Sequence, residues 1–424
     1  MQYRTRVAPA TLCWGFGLAL AAAGLPVEAR AAERESLGLA EALDRALAHN
    51  RVLAVVGHRL AEQEGRVAQA GLLPNPELEL ALEDAAGTGA FDGFDNAQTT
   101  LSVGWVLEGR LRRRRVGAAE AGVALAGADA DLLRIRVAAD TAEHFVESLA
   151  SQARLARAEA GIALAERTVA AVRRRVDAGK APRAELARAE AELVVERLAR
   201  DDVTHERSIA YRRLAAQWGE TELGHAAVEG DLLALPAVVA YETLVARLER
   251  NPRLARYASE ERLAEANQRL ARARRWPALR PTVGVRRFEG TDDFALVAGV
   301  SLPIPLLDRK QGEISGSRAS VARIRAEADA AQLELRTTLF ALYEELQYHF
   351  HRADTLRADV IPRLREALEG TRRGYERGRY GYFELRSVQA DLLRAESELL
   401  EASAGVHRLV IALERLTGEE VVTR

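Results

Sequence analysis

Cysteine occurs once in the 424 residues, at Cys13. A mature chain that starts beyond it has no disulfide, no thiol nucleophile and no thiolate metal ligand. Lysine occurs twice, at Lys180 and Lys310, so nearly all positive charge is arginine. Acids and bases still balance to a formal net charge of −2, which leaves no basic field for nucleic acid. Aromatic residues make up only 5% of the chain and proline only 12 residues. Ala, Arg, Leu and Glu dominate instead, the profile of long helices and coiled coils rather than of a compact mixed core. Beyond the N-terminal segment no stretch approaches the ~18 uncharged apolar residues that a spanning helix needs. Nucleotide loops, nucleophile elbows, catalytic triads and paired catalytic acids are missing too, so the chain is read as not an enzyme, with no cofactor.

The N-terminus reads as an export signal over residues 1–32. Arg4 and Arg6 form a positive start, Leu12 to Leu25 an apolar stretch, and Ala29-Arg30-Ala31 a small-residue cleavage site. Ala10-Thr11-Leu12 before Cys13 does not fit a lipoprotein signal, which needs a small residue directly before the cysteine.

The mature chain repeats itself. Glu41 through Leu53 returns as Glu242 through Leu254, with Asn50 aligned to Asn251 at an offset of 201. Gly179 to Leu186 matches Gly378 to Leu385 at an offset of 199, and Leu214 to Glu220 matches Leu413 to Glu419 at the same offset. Landmarks in one order at nearly one offset indicate a duplication, with units at 33–225 and 226–424.

Each unit has the same grammar. An amphipathic helix (about 38–72 and 239–275) ends at proline-bearing breaks, Leu73-Pro74-Asn75-Pro76 and Trp276-Pro277 to Pro281. Two strands follow, near 77–107 and 281–303. Glu77 to Glu83 alternates Leu with Glu or Ala, and Leu101, Val103, Trp105 and Leu107 share one face. A helix of roughly 65 residues, about 100 Å long, then reaches a glycine turn at 177–182 or 377–382, and a return helix runs back. In the last helix Leu385, Val388, Leu392, Ala395, Leu399, Ala402, Val406, Leu409, Leu413 and Leu416 are spaced by alternating threes and fours, a coiled-coil seam. Pro362 interrupts the second long helix, where the first has Ala163. It predicts a kink or local unwinding there and marks the second hairpin as the mobile one.

Four strands with one apolar face cannot close a membrane barrel, which needs about eight or more. They either pack as a small sheet against the helices or are pooled from several chains. His349-x-His351 does not make a metal pair, because residues two apart on a helix point in different directions. Arg112-Arg113-Arg114-Arg115 follows a strand and reads as a cluster for lipid phosphates or as a solvated helix face.

The order of these units, the Asn251-Pro252 element, Leu73-Pro74-Asn75-Pro76-Glu77-Leu78 and the paired glycine turns with Glu185-Leu186 and Glu384-Leu385 resemble the TolC-type outer-membrane efflux proteins. Ser301 to Gly312 is similar to the strand exit of the outer-membrane subunits of heavy-metal-cation efflux systems. The resemblance implies a mainly α fold with a β-barrel part: a homotrimeric α-helical tunnel under one shared twelve-stranded barrel in outer-membrane lipid. The tips would meet a periplasmic adaptor, linked to an inner-membrane pump of the resistance-nodulation-division type, through Gly179, Lys180, Leu186, Gly378, Arg379 and Leu385. Glu384, Ser387 and the copy-one equivalent Glu185 would form the gate, where a carboxylate ring draws cations. The function expected is a passive duct for heavy-metal cations. The alternative from the residues alone is a soluble periplasmic coiled-coil adaptor or scaffold; a periplasmic metal-binding protein would need ligand clusters the chain lacks.

Overall fold

Proline and glycine divide the chain almost where the sequence predicts. The computed structural model describes residues 36–225 and 227–422; the expected export signal lies outside them. The first unit runs β1 (Ser36–Leu37), α1 (Leu39–His49), α2 (Arg51–Gly71), β2 (Glu77–Glu83), β3 (Gln98–Gly104), α3 (Arg110–Asp177) and α4 (Arg183–Ala215). The second runs β4 (Ala227–Val228), α5 (Tyr241–Leu248), α6 (Pro252–Arg274), β5 (Arg280–Phe288), β6 (Asp293–Ser301) and α7 (Gln311–Thr355). A π turn (Leu356–Val360) then leads to α8 (Ile361–Glu376) and α9 (Tyr382–Thr417).

The helix expected to open each unit is two helices, broken at asparagine. Asn50 and Asn251 both take extended backbone and cap the next helix, accepting from Val52 N at 2.9 Å and from Arg253 N at 2.7 Å. Their amide nitrogens turn the other way. Asn50 donates to Gln217 O and Asn251 to Leu416 O, carbonyls at the end of each unit's last helix. One side chain therefore satisfies orphan groups at a helix start and at a helix end, closing each unit on itself.

The helices form layers. Towards the glycine turns the order is α4, α3, α9, α8; towards the sheet it is α2, α3, α6, α7. Small residues let them approach. Gly161 of α3 lies against the carboxylate of Glu196, and Gly405 of α9 against the ring of His349, which leaves no space for a Cβ at Gly405. Buried Thr141, Ser148 and Ser151 return their hydroxyls to carbonyls of their own helix, so the interface carries no orphaned donor there. Along the α9 seam eight of the ten predicted positions are buried, with Val388 and Leu416 half-buried. The π turn sits immediately before Pro362. Proline lacks the N–H that would continue the ladder, and the register slips by one residue to accommodate it.

A core that no heptad announces lies midway along the tunnel arms. β1 pairs with β4 in parallel, and Leu37, Trp218, Leu223, Val228 and Leu232 pack there on Phe145 and Leu149 of α3. The segment joining the two units thus folds onto the middle of the first long helix.

Asn251 is buried, whereas Asn50 is only half-buried. Asn251→Ala should cost about 2 kcal/mol through the lost cap and the stranded Leu416 carbonyl. Asn50→Ala should cost less. Thermal unfolding of the purified protein checks the order; equal shifts would refute the difference drawn from burial, and no shift in either would refute the shared role.

Candidate functional site

The four long strands form one antiparallel sheet in the order β2-β3-β5-β6. Its register places Leu80, Leu101, Val285 and Leu296 in one row, and Leu78, Val103, Val283 and Ala298 in the next, all on one face. Period-two alternation puts the other residues on the opposite face, where Glu77 pairs with Arg280 at 2.8 Å and Arg286 bridges three strands. Arg286 donates to Glu83 at 2.6 Å, Gln98 at 2.9 Å and Thr100 at 2.9 Å. The apolar face has no cover. Leu78 and Leu80 are 71% exposed and Leu296 76%. A leucine side chain left in water forgoes about 1.5–3 kcal/mol, and this sheet leaves a whole face so. Exposed aromatics stand at both ends of the strands: Trp105 and Trp276 at the helix end, Phe91, Phe94 and Phe294 at the loop end. That is the girdle pattern of a membrane strand. The sheet therefore does not pack on the helices of its own chain. Among the described residues no helix is long and apolar enough to cross a membrane.

Two of the four clustered arginines have work inside the fold. Arg112 donates to Gly71 O, and Arg115 to Ala70 O and Leu72 O while pairing with Glu108 at 2.8 Å. They cap the C-terminus of α2, as cations at a helix end do. Arg113 and Arg114 remain exposed.

At the far end both hairpins turn identically. Gly179 and Gly378 take φ of +66° and +76°, and the next amides, of Lys180 and Arg379, return to Arg175 O and Gly374 O at 2.8 Å. This six-to-one closure ends a helix in the left-handed conformation that glycine alone takes freely. Lys180 and Arg379 are exposed. Leu186 is half-buried and Leu385 only 1% exposed, so these two leucines brace the tip from within rather than form its surface.

Two tyrosines join the hairpins. Tyr375 of α8 donates to Glu185 of α4 at 3.0 Å, and Tyr382 of α9 donates to Glu192 of α4 at 2.8 Å. Arg175 lies over the Tyr375 ring at 4.3 Å and donates to its carbonyl, and Arg386 pairs with Glu192. Glu185 is therefore a half-buried acceptor between hairpins. Glu384 and Ser387 are exposed on the first turns of α9. The sequence reading missed Tyr375, Tyr382, Glu192 and Arg175. A signal was there: three of the nine tyrosines, Tyr375, Tyr380 and Tyr382, fall within one turn region of an aromatic-poor chain. His349 packs against Gly405 and His351 is exposed; no metal-binding group occurs among the described residues.

Burial, and then the hydrogen bond to Glu185, push the Tyr375 phenol up to about 12. Burial and the bond to Glu192 raise Tyr382 as well. A raised phenol favours its neutral form, so both links hold fully below the ordinary value of about 10 and are lost as pH rises through the folded value. Tyrosinate absorbance should keep a late component near pH 12 that Tyr375→Phe diminishes. A wild-type curve complete by about pH 11 would contradict the burial of these phenols.

A family model described as "Outer membrane efflux protein" matches residues 42–220 and again residues 244–419, once for each unit. The chain is 28% identical over 388 residues to the cobalt-zinc-cadmium resistance protein CzcC of Cupriavidus metallidurans, covering 91% of each. To the nickel and cobalt resistance protein CnrC of the same organism it is 29% identical over 290 residues, 68% of each. Its fold matches the outer membrane protein VceC of Vibrio cholerae with a TM-score of 0.73 at 19% identity, covering 90% of this chain and 96% of that one. Exposed apolar strands, paired long hairpins and a twofold match to one model lead to a single assignment: the chain belongs to the outer membrane efflux protein family.

Proposed function

We propose that three copies of this chain form a passive outer-membrane duct that exports heavy-metal cations. The observation that carries the reading is the sheet. Its outer strands, β2 and β6, each have one edge without a partner among the described residues, and they run antiparallel to each other. The β6 edge of one copy can therefore continue into the β2 edge of the next without breaking the alternation. Three copies give twelve strands with leucines towards lipid and the Arg286 ladder towards water. The helical arms continue the wall into the periplasm. The tips meet a periplasmic adaptor and, through it, an inner-membrane pump of the resistance-nodulation-division type. Cargo in the metal class is supported by the two metal-resistance relatives.

The tip is the gate in this reading. The Tyr375–Glu185 and Tyr382–Glu192 links hold the second hairpin against the first, and opening breaks them. The π turn before Pro362 gives the second hairpin its point of flexure. Glu384 and Ser387, free on the first turns of α9, line the mouth. Lys180 and Arg379 with the turns at Gly179 and Gly378 offer the adaptor a surface, with Leu186 and Leu385 bracing it.

The duct reading is tested by paired substitutions. Leu80→Arg puts a charge on the lipid face at a cost of about 2–4 kcal/mol near the bilayer centre, and should deplete trimers from the outer membrane. Ser102→Arg, on the watery face, should spare assembly and alter conductance. A strain lacking the chain should become sensitive to cobalt, zinc or cadmium, with growth restored by the wild type and not by Leu80→Arg. Normal assembly of Leu80→Arg, or a soluble monomer on detergent sizing, would end the proposal.

The gate is tested separately. Tyr375→Phe with Tyr382→Phe should raise the open fraction in planar bilayers several-fold while leaving trimer yield unchanged. Unchanged conductance would remove the two links from the gate.

A further inference from the structure

The tips are net positive on a chain that is net negative. Residues 173–187 hold five cations against Asp177 and Glu185, and the equivalent residues 372–386 hold five against Glu376 and Glu384. Ten cations and four acids make +6 on a chain whose total is −2, which leaves −8 for the remainder. Part of this charge is satisfied in place. Arg173 pairs with Glu190, Arg372 with Glu369 and Arg386 with Glu192, while Arg175 binds backbone carbonyls. Arg174, Lys180, Arg183, Arg377 and Arg379 are all exposed and enter no ion pair among the described residues. Between them stand two exposed aromatics, Tyr380 at 50% and Phe383 at 66%. Tyr380 is held in place by Gly374, against which its ring lies too closely for any Cβ.

Arginine and large aromatics are the side chains that dominate binding hot spots. Here arginines stand at the end of both arms, and the aromatics at the end of the second. Cations so placed repel one another, and repel a neighbouring copy, unless something acidic covers them. The screening length at physiological salt is about 8 Å, so a partner in contact feels this field and the distant acidic body of the chain hardly counts.

We propose that the tips dock a partner protein whose contacting surface carries an excess of Asp and Glu, with Tyr380 and Phe383 as the apolar anchors. This rests on the reading of the chain as a duct joined at its tips to a periplasmic partner, and adds the partner's chemistry. It has a consequence for the cargo. An undocked mouth built of three such tips opposes the approach of metal cations, and an acidic partner removes that barrier as it binds. Docking then does electrostatically what a carboxylate ring alone does not do here.

Designed helical hairpins, identical except for Glu, Gln or Lys at the positions flanking the turn, serve as probes against the full-length trimer in detergent. The Glu hairpin should bind at least tenfold more tightly than the Gln hairpin at low salt, and lose about tenfold between 50 and 300 mM salt. Arg174→Glu, Arg183→Glu, Arg377→Glu and Arg379→Glu together should abolish that binding and transfer it to the Lys hairpin. Phe383→Ala should weaken the Glu hairpin without changing its salt dependence. Equal binding of the three hairpins by the wild type, or failure of the exchange in a variant that still forms trimers, overturns the proposal. So does binding to phosphatidylglycerol vesicles as tight as to the Glu hairpin, which would make the tip a surface for lipid. Bilayer conductance of the same preparations keeps the two readings apart. No conductance in either the wild type or the Tyr375→Phe, Tyr382→Phe variant would defeat the duct, whereas conductance with no charge preference at the tip defeats only this inference.

Discussion

Everything in this molecule answers to the two open edges of its sheet. A strand edge presents a row of unpaired N–H and C=O groups, and in hydrocarbon each unpaired group costs several kcal/mol. β2 and β6 cannot be left open with leucines facing lipid, and one chain has no strand to cover either. Other copies must supply them. The antiparallel sense of β2 and β6 lets that happen in a closed ring, because each junction repeats the alternation already present inside the chain. The helical layers below have the same property. α4 is flanked mainly by α3, and α8 mainly by α9 and the π turn, so each arm also ends in two edges that a neighbour completes. Membrane chemistry at one end thus dictates a tunnel at the other.

The duplication supplies the parts for that ring, and the two copies then differ in the side chains that join their hairpins. The asparagine clasps are alike in both units, each tying the start of one helix to the end of another. The tips are alike in backbone, down to the same six-to-one closure at Gly179 and Gly378. The side chains that join the hairpins are not alike. The second hairpin brings the tyrosines and the first brings the glutamates that accept from them. The π turn before Pro362 lies in the arm that brings Tyr375.

Charge is distributed along the same axis. Within the sheet, Glu77 and Glu83 are held by Arg280 and Arg286, so the watery face is polar but largely neutralised. The tips are net positive and partly unpaired. Glu185, the acid with the clearest position at the tip, spends its acceptor on Tyr375. The net charge of the tips comes from arginine rather than from carboxylates.

The sequence by itself determined the repeat, the long hairpins, the glycine turns and the strand faces. These depend on local periodicity, on proline's missing donor and on glycine's access to positive φ, all of which are written in neighbouring residues. It left two outcomes for the strands, a small sheet packed on the helices or strands pooled from several copies, since Leu78, Leu80 and Leu82 alternate with Glu and Ala over a span too small to close. Only the tertiary structure decided the rest. It split the first helix of each unit at Asn50 and Asn251, because those amides are worth more as clasps to carbonyls more than 160 residues away than as helix interior. It turned Arg112 and Arg115 onto the end of α2, took Leu385 into the core, and assembled the mid-arm core from β1, β4 and Trp218. It brought Tyr375 to Glu185 across 190 residues of chain. Contacts of that separation leave no periodicity behind them, so the pairs that join one element to another appear only when the chain has folded.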